Sequence, residues 1–153
     1  MMRIENRVGL FPILGIDKAM PKVVVSHFNP QSPYPFPMPG KYDVLLAKHE
    51  YNKHVKRWKK RCLVWQFKTT TLIESLLNAT WFDYVIVRWQ DDEQIISICF
   101  NRIVDEKRLA CQRAVSYREF GEHRSIDALS WVLESTRQRM YAEMAESSLR
   151  NED

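Results

Sequence analysis

The chain has 153 residues, 45% hydrophobic and 27% charged, which suits one domain burying roughly two thirds of its unfolded surface. Its apolar runs fall well short of the ~18–20 residues that a membrane-spanning helix requires. Three scattered cysteines, Cys62, Cys99 and Cys111, give neither a disulfide framework nor the CxxC spacing of a zinc site, and they read as thiols in a reducing compartment.

The net charge of +4 is unevenly spread. Lys41, Lys48, Lys53, Lys56, Arg57, Lys59, Lys60, Arg61 and Lys68 share one segment with only Asp43 and Glu50, a formal +7 that leaves the rest of the chain net negative. A concentrated positive surface interleaved with aromatics fits a partner rich in phosphates or carboxylates.

The N-terminal apolar stretch is interrupted by Glu5, Pro12 and Asp17, which spoils it as a secretion signal and favours a cytoplasmic, intracellular protein. Residues 8–21, broken by Gly9, Pro12, Gly15 and Pro21, are expected to form an irregular arm. A β-branched run predicts a strand over about 22–28, ending at Asn29-Pro30. Residues 29–40 then carry Pro30, Pro33, Pro35, Pro37 and Pro39, which remove backbone donors and predict a stiff connector. Tyr34 and Phe36 within it either dock on the core or serve an aromatic groove elsewhere.

From Asp43, a plausible N-cap, the period becomes helical. Val44, Ala47, Tyr51, Val55, Trp58, Cys62 and Trp65 recur at steps of three and four, and the intervening positions are almost all cationic. The pattern predicts a basic amphipathic helix over about 43–61; beyond it, residues 63–68 suit either helix or strand. Thr71 and Glu74 match a capping box and predict a separate short helix through about Asn78. Residues 83–89 and 94–100 read as two strands of an antiparallel hairpin joined by the polar turn 90–93.

Asp105 and Glu106 are expected to open a helix ending at Phe120, with Gly121 as a left-handed C-cap. Ser125 would cap a last helix whose buried stripe is Ile126, Leu129, Leu133, Met140 and Met144, and residues 148–153 form a polar tail. The expected architecture is a single α+β domain over 1–153. In it a small antiparallel sheet, the strand at about 22–28 plus the hairpin at about 83–100, is covered by about four helices. The double-stranded-RNA-binding fold needs a three-stranded meander between its helices, and the RNA recognition motif needs its aromatic strand motif; neither pattern is legible here.

The basic helix carries the functional expectation. Lys48, Lys53, Lys56, Arg57, Lys59, Lys60 and Arg61 can each neutralise a phosphate, with His49 and His54 as additional hydrogen-bonding groups. The ligand expected is DNA or RNA, in an accessory or regulatory role. The alternative is an acidic protein surface that this basic face docks on and modulates. Trp58 and Trp65 lie on the apolar stripe and belong to the core, whereas Trp89 at the hairpin end is open between core and solvent.

His49-Glu50-Tyr51-Asn52-Lys53-His54 departs from the zinc motif HExxH by one residue. Histidines five apart stand about 140° around a helix and cannot share a metal. Glu50 and His54 do share a face and suit an ion pair. A third reading, a metal-dependent nuclease or phosphoesterase, would draw on Glu50, Asp83 or the cluster Asp91, Asp92 and Glu93. Nothing in the spacing brings these acids together. His27 and His123 have no partner legible in sequence. No glycine-rich phosphate loop or nucleophile motif is present, so the chain reads as a binding protein with no cofactor and no metal.

Overall fold

A computed structural model describes residues 7–28, 44–121 and 125–151. The Pro-rich connector, Asp43 and His123 lie outside the described residues. Five strands form one mixed sheet: β1 (Arg7–Pro12), β2 (Val23–Ser26), β3 (Tyr84–Gln90), β4 (Ile95–Val104) and β5 (Lys107–Ser116). Their spatial order is β1-β5-β4-β3-β2. Three helices accompany them among the described residues: α1 (Val44–Asn78), α2 (Tyr117–Gly121) and α3 (Ser125–Asn151). The α+β class holds.

Several details differ from expectation. Most of the helix expected from Asp105 to Phe120 is instead β5, paired antiparallel with β4 from Val104↔Lys107 to Ile95↔Ser116; only its last residues, from Tyr117, are helical, in α2. Asp105 and Glu106 form the two-residue turn between them, both with positive φ (48° and 64°), the twist that suits a tight hairpin. Residues 8–21 are not simply an irregular arm: β1 pairs antiparallel with β5, and a 3-10 turn follows at Gly15–Ala19. The sheet is not purely antiparallel, because β2 pairs parallel with β3. Parallel neighbours need a long crossover, and the connection carrying α1 supplies it.

The strand alternative for 63–68 and the separate helix at Thr71 both give way to one 35-residue helix. Thr69, Thr70 and Thr71 donate their hydroxyls to the carbonyls of Trp65, Gln66 and Phe67, so Thr71 bonds backward within α1 and caps nothing. No glycine with positive φ occurs among the described residues, so Gly121 ends α2 without the left-handed cap. α3 continues through Asn151, into the polar tail. The meander β3-β4-β5 between α1 and the C-terminal helices supplies the three-stranded element that the sequence concealed, although element order alone fixes no function.

Register sorts the sheet residues into two faces. Val85, Phe100 and Cys111 form one cross-strand row, and Trp89, Ile96 and Val115 another on the same face. These residues join Trp65, Leu72 and Leu76 of α1, Phe120 of α2 and Met140 of α3 in one buried cluster, so the helices cover this side. Trp65 stands edge-on to Tyr117 and Phe120 at centroid distances of 5.2 and 4.8 Å, an arrangement that favours aromatic pairs. Arg113 Nε donates to the buried Thr136 hydroxyl at 3.0 Å and ties β5 to α3. Trp89 is core, 1% exposed, with Phe28 edge-on at 5.1 Å.

Because β1 and β2 are opposite edges, the chain between them must traverse the sheet. It crosses the other face, pinned by the buried Asp17. That carboxylate accepts hydrogen bonds from the Tyr84 hydroxyl and from Leu14 N–H (2.8 Å). The Arg108 guanidinium approaches it to 3.5 Å and also donates to Asn101 Oδ1 at 3.1 Å.

Candidate nucleic-acid interface

α1 is about 52 Å long at ~1.5 Å per residue, far longer than the strands beside it. Among the described side chains of α1, the buried ones, Trp65, Lys68, Thr69, Leu72 and Leu76, fall in the C-terminal half. The N-terminal half therefore presents its polar face outward. Lys53, Lys56, Arg57, Lys59, Lys60 and Arg61 are all exposed, while Val55, Trp58 and Cys62 on the opposite side are half-buried. Lys48, His49 and His54 belong to the same helix, but their side chains lie outside the described residues, as does that of Glu50.

Among the described residues, no carboxylate pairs with Lys53, Lys56, Arg57, Lys59 or Lys60. A solvated row of like charges repels itself, and a polyanion relieves that repulsion while releasing its own counterions. Arg57, Lys60, Arg61 and Val64 of α1 line a hollow of about 200 Å³ with Gly121 of α2. The first three sit at i, i+3 and i+4, which brings their cationic ends to one side of the helix beside the end of α2. A hollow of that size with three cations on its wall accommodates a phosphate group. Sequence periodicity found the three cations; it could not find Gly121, which only the tertiary fold brings there.

The acidic candidates remain apart. Asp83 precedes β3 and accepts from Ile103 N–H at 2.6 Å, while Asp91 follows the far end of the same strand. Seven strand residues separate them by about 23 Å at ~3.3 Å per residue. Asp91 is engaged by the Tyr117 hydroxyl at 2.6 Å. Among the described residues no three His, Cys, Asp or Glu side chains gather as a metal site.

His27, Arg88 and Trp89 line a cleft of about 520 Å³ with residues 90–93, and His27 Nδ1 lies 2.7 Å from Ser26 Oγ. On the face of the sheet opposite the buried cluster, Gly9, Phe11, Cys99, Arg108, Ala110 and Gln112 line a groove of about 550 Å³ that Arg139 of α3 borders. The Arg108 guanidinium lies 5.2 Å from the Phe11 ring centroid. The thiols of Cys99 and Cys111 are pushed above their ordinary pKa by burial, which makes them poor nucleophiles.

No family model, curated protein or solved structure matches this chain. The functional reading therefore stands on the geometry of α1. Among the described residues no helix is long and apolar enough to cross a membrane.

Proposed function

We propose that this protein binds nucleic acid through the outward face of α1, chiefly by neutralising phosphates. One observation carries the reading: five cations, Lys53, Lys56, Arg57, Lys59 and Lys60, are exposed on one helix and meet no described carboxylate. Evenly presented cations on a rigid helix track a phosphate backbone and read little sequence. Arg61 and the hollow it shares with Arg57 and Lys60 offer one phosphate a more enclosed seat. The role that suits such binding is accessory or regulatory.

The test is fluorescence anisotropy of labelled single- and double-stranded DNA and RNA at two salt concentrations. The wild-type chain is compared with Lys56→Ala/Arg57→Ala/Lys59→Ala/Lys60→Ala. Binding that weakens steeply with salt and is lost in the variant supports the proposal. Absence of binding to all four ligands overturns it and leaves the basic face to an acidic protein partner.

A further inference from the structure

The outward meridian of α1 does not end with its cations. Lys53, Lys56, Lys60, Leu63, Phe67, Thr70, Glu74 and Leu77 follow alternating steps of three and four, and all eight are exposed. That spacing is the heptad repeat of a coiled-coil seam, here turned away from the protein's own core. Leu63, Phe67 and Leu77 are 66%, 63% and 50% exposed, unusual for large apolar side chains set in line on one helix. The core-facing residues Trp65, Leu72 and Leu76 occupy the opposite side, so no rotation of α1 could bury both rows in one chain.

We infer that this seam is a self-association surface on which a second copy of the chain packs antiparallel, α1 against α1. The row is self-complementary about a two-fold axis at residue 65. Leu63 then faces Phe67 of the partner subunit, Lys60 faces the partner's Thr70, Lys56 faces the partner's Glu74, and Lys53 faces the partner's Leu77. Every opposed pair joins the two heptad core positions to each other, as antiparallel packing requires. The apolar pair fills the centre, and the seam's single carboxylate meets a lysine. Parallel packing would instead set Lys53, Lys56 and Lys60 against their own copies, with repulsion at three successive layers.

Charge therefore selects both the partner and its direction. The lysines at the ends of the seam extend their aliphatic stems over apolar neighbours while keeping their ammonium groups in water. Arg57, Lys59 and Arg61 lie off the seam, whereas Lys60 belongs both to the seam and to the hollow that it lines with Arg57, Arg61 and Gly121. The inference concerns the protein alone and does not depend on nucleic-acid binding.

Sedimentation velocity of the full chain across the micromolar range reads the outcome directly. The wild type is expected to show a concentration-dependent monomer–dimer equilibrium. Leu63→Glu/Phe67→Glu, two exposed positions, should be monomeric with unchanged near-ultraviolet circular dichroism. Lys56→Glu and Glu74→Lys should each raise the dimer dissociation constant at least about tenfold. The two exchanges combined should restore it, because the pair is remade between subunits. Residues 56 and 74 are five turns apart on one helix, so no contact within one chain can produce that rescue. A chain that stays monomeric throughout overturns the inference. So does a dimer that Leu63→Glu/Phe67→Glu leaves intact, or one that the double exchange fails to restore.

Discussion

Asp17 and Arg108 stand 3.5 Å apart, joining the segment that crosses the sheet to β5, and Tyr84 of β3 donates its hydroxyl to the same carboxylate. One buried acid thus anchors this connection to two strands of the sheet. The Tyr84 hydrogen bond, the Leu14 N–H and then the Arg108 charge hold the Asp17 carboxyl below its ordinary 3.8. A lowered acid stabilises the fold above the unfolded value, and that contribution disappears as pH falls through the folded value. Urea unfolding at neutral pH and near pH 3 (~1 unit below the ordinary carboxylate range) should show wild type losing more stability than Asp17→Asn. Equal losses would mean that Asp17 does not pin the crossover.

Tyr84 and Tyr117 predict the opposite pH limb. Burial, reinforced by the hydrogen bond to Asp17, pushes the Tyr84 phenol up to about 12. Burial and the bond to Asp91 raise Tyr117 further. A raised acid contributes its stability below the ordinary value of 10 and loses it as pH climbs through the folded value. The protein should lose stability between about pH 10 and pH 12, measured by urea unfolding across that range. Tyr117→Phe should flatten that limb at a cost of ~1 kcal/mol at neutral pH.

The turn between β4 and β5 holds two non-glycine residues at positive φ, Asp105 and Glu106. Aspartate tolerates this region better than glutamate does, so Glu106 carries the greater conformational cost. Glu106→Gly should stabilise the protein by about 1 kcal/mol, measured by urea unfolding. A destabilised variant would contradict the tight-turn geometry.

That turn also explains why β5 was illegible. Lys107, Arg108, Ala110, Gln112, Arg113 and Ala114 are helix-favouring or neutral residues, and Arg113 occupies a core-facing position in an otherwise apolar alternation. The register becomes meaningful only once Thr136 is available to accept from Arg113. β1 was hidden for a related reason. It is an edge strand carrying Gly9 and Pro12, and it exists through pairing with β5, which lies about a hundred residues away. The hairpin β3-β4 and the helical period of α1 were legible because each is written in local spacing. The cations were legible too, whereas Gly121 beside them and the buried Asp17 depend on contacts that no local pattern encodes.

The two apolar rows of α1 can be separated by paired truncations. Leu76 is fully buried against the sheet, so Leu76→Ala removes core contacts and leaves a cavity; it should cost 2–5 kcal/mol, within the roughly known range for such changes. Leu63 belongs to the same helix but is 66% exposed. Leu63→Ala should shift the unfolding free energy of the monomer by less than about 0.5 kcal/mol. At concentrations where the chain self-associates, the same substitution should weaken the dimer, because Leu63 then faces Phe67 of the partner subunit. Urea unfolding at low and high protein concentration distinguishes these effects. Leu76→Ala destabilises at both, whereas Leu63→Ala matters only where two copies meet. A large cost for Leu63→Ala at low concentration would place that side chain in the core and remove the exposed seam.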